Sequence, residues 1–254
     1  MTRPTDRMRQ WYADAAEAER WGKTLAGHGL YPTEAALVGR YFQPGGRLLN
    51  IGCGGGRETI ALAESFEVTA VDFSADFVEL AKQSLESAGC RAKVLQMDAM
   101  DLQFDDAAFD FVVMVGQLIG QIPHRENRLR ALSEARRVLK PGGLALCSTN
   151  DVELGWKYRL YFAAVNAWRK ISNPHGLEAD DAFVFHQGGR RFVFGKTDER
   201  PVFHWYRRAT FIADAEAAGF SCLETLPRRE FESPETIDDK SIGGEVFYVL
   251  KKTE

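Results

Sequence analysis

The 254-residue chain is 45% hydrophobic and 27% charged, ordinary values for a folded globular protein, with a formal net charge of −4 and a pI near 5.8. That mild acidity argues against a nucleic-acid partner held by bulk electrostatics, and no apolar run approaches the length that spans a bilayer, which argues against a membrane partner. Cys53, Cys90, Cys147 and Cys222 are far apart and form no C-x-x-C pair, and residues 1–7 lack the apolar segment of a secretory signal. Free thiols in a reducing cytoplasm, with no metal site, are the expectation.

Residues 1–42 read as an N-terminal helical region, with Trp11, Tyr12 and Trp21 either packing or forming a lid over a ligand. Pro32-Thr33-Glu34 opens a helix that runs to Phe42, and Gln43-Pro44-Gly45-Gly46 breaks it. Leu48 to Ile51 is a short buried strand that ends in a cluster of glycines, and a helix follows from Glu58 to Glu64. Glu67 to Asp72 is a β-branched strand, and Ser74 caps a helix running to Ala88. Strands follow at 92–98 and 109–115, the second almost wholly apolar, as expected of a strand covered on both faces. A helix from Arg125 to Leu139 carries five arginines, mostly outward, and a fifth strand runs from Leu144 to Thr149.

Strands alternating with helices at this spacing predict parallel β-α-β units in a three-layer α/β sandwich. After Asn150 the rhythm changes. Trp156 to Ile171 reads as an aromatic amphipathic helix, and strands 191–194 and 202–206 read as a pair joined by the turn 195–201. A helix at 210–218, a strand at 220–226, a polar loop at 230–244 and a closing strand at 245–250 complete the chain.

Strand, glycine turn and helix together make a cradle for a nucleotide or a carboxylate. A dinucleotide site wants G-x-G-x-x-G, but Arg57 or Thr59 occupies the sixth position in the two available registers. Gly52, Gly54 and Gly56 form G-x-G-x-G instead. That loop, followed by Val71-Asp72-Phe73-Ser74, Gln96-Met97-Asp98-Ala99 and Arg137-Val138-Leu139-Lys140-Pro141-Gly142-Gly143, resembles the class I S-adenosylmethionine (SAM) dependent methyltransferases. The resemblance implies a Rossmann-like, mostly parallel seven-stranded sheet with an antiparallel last strand, N-terminal helices and an insertion after the fifth strand. It divides a single domain into a helical lid (1–42), a SAM-binding core (43–150), a substrate-pocket insertion (151–207) and a C-terminal part of the sheet (208–254).

The resemblance also assigns the cofactor contacts. Gly52, Cys53 and Gly54 let the backbone pass the methionine part of SAM. Asp72, 20 residues after Gly52, is placed for the ribose hydroxyls, a helix cap being the alternative. Asp98 is placed for the adenine amino group beside the Met97 and Ala99 backbone, and Phe73 for the adenine face. Met114, Gly116 and Gln117 lie beneath the methyl donor. Asn50 stands where the family usually has Asp or Glu, so it keeps a hydrogen bond but loses the charge attraction to the methionine ammonium.

The acceptor is less constrained. Gly116-Gln117-Leu118-Ile119 after the fourth strand is not the Asn/Asp-Pro-Pro-Tyr/Phe pattern of base or glutamine methylation. No clustered acidic set follows that strand to hold a divalent metal. The insertion supplies Tyr158, Arg159, Arg190, His204 and Tyr206 as substrate-binding candidates, and His204, His186 and Tyr206 as catalytic candidates. Aromatics with Arg and His suit a planar or anionic small molecule. O-methylation is favoured, with N-, C- or S-methylation and a non-catalytic SAM-binding module as alternatives.

Overall fold

The computed structural model describes residues 29–174, 176–183, 186–187, 190–191, 202–232 and 244–254. The part of the expected N-terminal helical region before residue 29, with Trp11, Tyr12 and Trp21, lies outside them.

The core is a seven-stranded sheet of β1 (Arg47–Ile51), β2 (Glu67–Asp72), β3 (Lys93–Gln96), β4 (Phe109–Met114), β5 (Leu139–Asn150), β10 (Phe220–Pro227) and β11 (Glu245–Lys252), in the order β10-β11-β5-β4-β1-β2-β3. β1 pairs in parallel with both β2 and β4, while β11 is antiparallel to β5 and β10. After β1 the chain winds outward through β2 and β3, then returns to start β4 on the other flank of β1. The carboxyl ends of β1 and β4 are therefore the topological switch point, where open α/β sheets leave a crevice.

The period-two alternation of a strand divides β1 between two cores. Leu49 and Ile51 face one, shared with Ala131, Leu132, Ala135 and Val138 of α5 (Arg125–Val138) and with Phe211 and Ala215 of α7 (Arg208–Ala217). Leu48 faces the other, with Leu37 and Val38 of α1 (Pro32–Tyr41) and Leu62 of α2 (Arg57–Leu62). α3 (Ala75–Ser87) covers β2 and β3 through Val78, Ala81 and Leu85, and the Ser74 hydroxyl caps it by accepting from Phe77 N–H at 3.4 Å. Three layers result, as the alternation of elements implied.

A short helix, α4 (Leu118–Gln121), follows β4. The insertion after β5 comprises a 3-10 turn (Val152–Leu154), α6 (Trp156–Arg169), β6 (Asp181–Phe183), β7 (His186–Gln187), β8 (Arg190–Arg191) and β9 (Val202–His204). Of the strand expected at 191–194 only Arg191 is described, so its pairing with 202–206 lies outside the described residues. β9 pairs antiparallel with β6, and β8 with β7. The register sets His204 opposite Asp181, so a buried side-chain hydrogen bond and the burial of Ala182 and Val202 choose the partner, not the nearest turn. Of the five arginines of α5 only Arg128 points inward, 1% exposed, as the mostly outward expectation allows; the polar loop expected from residue 230 instead begins as a helix, α8 (Arg228–Phe231), whose Arg228 is equally buried.

Candidate functional site

The glycine loop sits at the carboxyl end of β1. Gly52, Gly54 and Gly56 have φ of 72°, 50° and 92°, a region where a Cβ is strained. At Gly52 a Cβ would also lie 2.7 Å from Leu118 Cδ1, so α4 closes onto this loop only because the residue is glycine. Above Gly54 nothing stands closer than 3.9 Å, which leaves its backbone open to a ligand. Gly52 and Cys53 both donate to Val71 O, at 2.8 and 3.0 Å, fixing the turn against β2.

Asp72 ends β2 beside this turn. Its Oδ2 accepts from Gly54 N–H and its Oδ1 from Ser74 N–H, both at 3.0 Å. Burial pushes its pKa up, and the Ser74, Gly54 and Phe73 amides oppose that rise. The cap of α3 is Ser74, not Asp72. Asp98, just after β3, accepts from Met100 N–H at 2.9 Å, and Met97 N–H donates to Asp72 O at 2.8 Å. Gly52, Cys53, Gly54, Asp72, Phe73, Met97, Asp98 and Ala99 thus share one edge of the sheet. The Cys53 side chain is buried, and burial first, then the Asp72 charge, raises its thiol pKa well above the ordinary value.

Two assignments shift. Asn50 is 1% exposed and turns toward α2, where its amide donates to Thr59 Oγ1 at 3.0 Å; its evident work is tying β1 to α2. Met114 is fully buried in the core, so its side chain packs below the crevice without lining it. Gly116 and Gln117 both adopt left-handed backbone, and Gln117 N–H donates to Ser148 Oγ at 3.3 Å while its side-chain Oε1 accepts from Asn150 Nδ2. Among the described residues Asn150 Oδ1 is buried beside them without a hydrogen-bond partner, an acceptor at the end of β5 that the sequence reading passed over.

A buried ionic network borders the loop. Arg57, counted in the sequence only as a missing glycine, grips both oxygens of Glu34 at 2.8 and 2.9 Å and donates to Gly29 O at 2.6 Å. The Tyr31 ring lies between the guanidiniums of Arg57 (4.1 Å) and Arg228 (3.9 Å). Arg228 pairs with Glu232 at 3.2 Å and Glu245 at 3.4 Å, and Glu245 accepts from Ser148 Oγ.

Burial, reinforced by Glu34, pushes Glu245 up to about 7 from its ordinary 4.5, against the pull of Ser148 and Arg228. The native state therefore holds this proton more tightly than the unfolded chain does. The corresponding stability is fully present below about pH 4.5 and is lost as pH rises through about 7. Melting temperature should fall between about pH 5 and 8, and Glu245→Gln should flatten that fall when followed by circular dichroism. An unchanged slope would assign the titration to another group.

In the insertion, Asp181 Oδ1 and His204 Nδ1 lie 2.9 Å apart, and Asp181 Oδ2 accepts from Glu178 N–H at 2.8 Å. Glu178 takes Arg128 Nη2 at 2.7 Å. Arg128 Nε donates to the Tyr206 hydroxyl at 2.9 Å, and that hydroxyl lies 3.4 Å from Asp214 Oδ2. Tyr206 is 1% exposed, burial drives its phenol far above the ordinary value, and the His204 ring lies 4.5 Å away, edge to face.

His204, Asp181 and Arg128 line a recess with Gly120, Ile122 and His124. A Cβ on Gly120 would lie 2.6 Å from His204 O, so α4 touches the glycine loop at Leu118 and the insertion at Gly120. Tyr158 stacks on Trp205 at 5.3 Å, while Arg159 is exposed on the outer helix. The side chains of His186 and Arg190 lie outside the described residues. Glu178, Asp181 and His204 present metal-ligand atoms within 4.8 Å of one another, a grouping the sequence did not suggest. Arg128 on Glu178, and the Asp181–His204 pair, satisfy these atoms internally, and a guanidinium in the cluster opposes a cation.

Residues 48–143 match the family model described as "Methyltransferase domain". A demethylmenaquinone methyltransferase of Staphylococcus epidermidis is 39% identical over 109 residues, which make up 41% of this chain; the match spans only 43% of that relative's length. A SAM-dependent methyltransferase structure from Methanosarcina mazei aligns over 89% of this chain and 99% of its own, with a TM-score of 0.67 and 22% identity. A Burkholderia thailandensis 1,6-didemethyltoxoflavin-N1-methyltransferase, holding 1,6-didemethyltoxoflavin and S-adenosylhomocysteine, aligns over 100% of this chain and 92% of its own, with a TM-score of 0.63 and 16% identity. At these identities the structural likenesses carry the fold.

Proposed function

We propose that this chain, whose residues 48–143 are a class I SAM-dependent methyltransferase domain, transfers a methyl group from SAM to the oxygen of a small planar or anionic acceptor. The observation that carries the O-methylation reading is the Asp181–His204 pair at the rim of a recess that also holds Arg128. The cofactor residues fit SAM: an open backbone at Gly54, Asp72 for the ribose hydroxyls, Asp98 for the adenine, and Asn150 Oδ1 as a free acceptor near the switch point. SAM, when bound, supplies a methyl already activated on sulfonium.

The chain's own residues then have two tasks, alignment and proton removal. With Asp181 accepting from Nδ1–H, the neutral His204 presents its Nε2 lone pair to the acceptor hydroxyl. Nε2 takes that proton as the oxygen attacks, and Asp181 stabilises the resulting imidazolium. Arg128, 1% exposed and held by Glu178 and Tyr206, sets a buried positive charge behind the recess without itself touching the acceptor. The unpaired thiols agree with a reducing, cytoplasmic setting.

Calorimetry with SAM followed by a turnover panel of phenols, carboxylates and amines tests the reading. His204→Gln should lower kcat by about 10²–10⁴-fold with the SAM Kd unchanged. Full activity in that variant would favour N-, C- or S-methylation without a base. SAM binding with no turnover on any acceptor would favour a non-catalytic module, and no SAM binding would remove the proposal.

A further inference from the structure

Helix α6 turns its apolar stripe away from the protein. Trp156, Leu160, Ala164, Ala167 and Ile171 recur at helical spacing, and at about 100° per residue they fall on one face, with Trp168 and Tyr161 at its edge. Trp156, Leu160, Trp168 and Ile171 are 62%, 60%, 64% and 81% exposed. Only Phe162 of this helix is buried, tucked against Trp205. A surface helix normally buries such a stripe; here the stripe is a contiguous exposed patch.

Within α6 itself the charges are of one sign, exposed Glu153 lying in the turn before it. Lys157, Arg159 and Lys170 are exposed, while Arg169 turns inward to Asp181 O and Glu178 O. No Asp or Glu occurs between residues 154 and 177, in a chain whose net charge is −4. Two copies joined face to face through α6 would bring these cations together without an acidic partner. Tryptophans on an outward apolar face, flanked by lysine and arginine, match the chemistry of an anionic bilayer surface.

We propose that α6 is an interfacial helix that seats this protein on membranes containing anionic lipid. Among the described residues no helix is long and apolar enough to cross a membrane, but lying on a bilayer makes a different demand from spanning it, so the membrane partner discounted from the sequence returns in another form. Trp205 adjoins His204 in sequence and takes the opposite face of α6, through Tyr158 and Phe162, so the thickness of one helix separates the seated face from the recess.

Sedimentation with vesicles tests this directly and does not require SAM. The full chain should pellet with phosphatidylglycerol/phosphatidylcholine vesicles and not with phosphatidylcholine alone. Trp156→Ala/Trp168→Ala, and separately Lys157→Glu/Lys170→Glu, should weaken binding by about tenfold or more while Tm and the SAM Kd stay unchanged. Absence of pelleting with either lipid overturns the proposal, as does binding that survives both double variants. Concentration-dependent self-association lost in the same variants, without vesicle binding, overturns it in favour of a second copy.

Discussion

Asp72→Ala should abolish measurable SAM binding. The carboxylate accepts from Gly54 and Ser74 amides, and each oxygen retains lone-pair capacity for a ribose hydroxyl. Loss of two hydrogen bonds to a charged group, at about 1.5–3 kcal/mol each, corresponds to about 10²–10⁴-fold in Kd. The left-handed Gly54 also loses the partner that holds its N–H, so the loop forfeits its set shape as well as a ligand contact. Asp72→Asn separates these effects: its carbonyl still accepts from one amide, and binding should be intermediate. Calorimetry on the two variants decides the matter, and wild-type affinity in the alanine variant would place SAM elsewhere.

Arg228→Met should be the most destabilising of the substitutions considered. Its guanidinium is 1% exposed and neutralises Glu232 and Glu245, which are 5% and 2% exposed. Removing one partner of a buried ionic group leaves charge without compensation, at about 3–5 kcal/mol. For a chain of this size that is on the order of 10 °C in Tm. Because Glu245 already titrates near 7, part of the penalty should be relieved by protonation, so the variant should recover stability as pH falls. Arg228→Met/Glu245→Gln should regain part of the loss at neutral pH. A single-variant cost below about 1 kcal/mol would show that the network contributes little, as exposed pairs do.

These two sites differ in how far the sequence disclosed them. Asp72 was legible because its signal is local: a β-branched strand of period two, a glycine turn upstream and a serine cap downstream constrain the backbone within a few residues. The same holds for the glycines, whose positive φ values follow from the tight turn at the end of β1, and for the sheet, whose strands and helices each announce themselves by periodicity. Arg228 and Arg57 were not legible, because a charged residue near the end of a helix or after a glycine turn reads as solvated until the fold encloses it.

The candidate acceptor site divides in the same way. His204 and Tyr206 were named together, since alternate residues of a strand share a face. Their separate roles came from partners far along the chain: Asp181 for the imidazole, and Arg128 with Asp214 for the phenol. The pairing of β9 with β6 likewise depended on burial of Ala182 and Val202, which turn chemistry does not encode.

By itself the sequence determined the element order, the parallel α/β sheet and the placing of Gly52 to Gly54, Asp72 and Asp98 at one edge of it, because backbone conformation and strand period act between near neighbours. Only the tertiary structure decided which charges are buried, that Asn50 serves Thr59, that Tyr206 lies edge to face with His204, and that α6 keeps its tryptophans outside. Those outcomes depend on which surfaces meet, and desolvation sets its cost only once they have met.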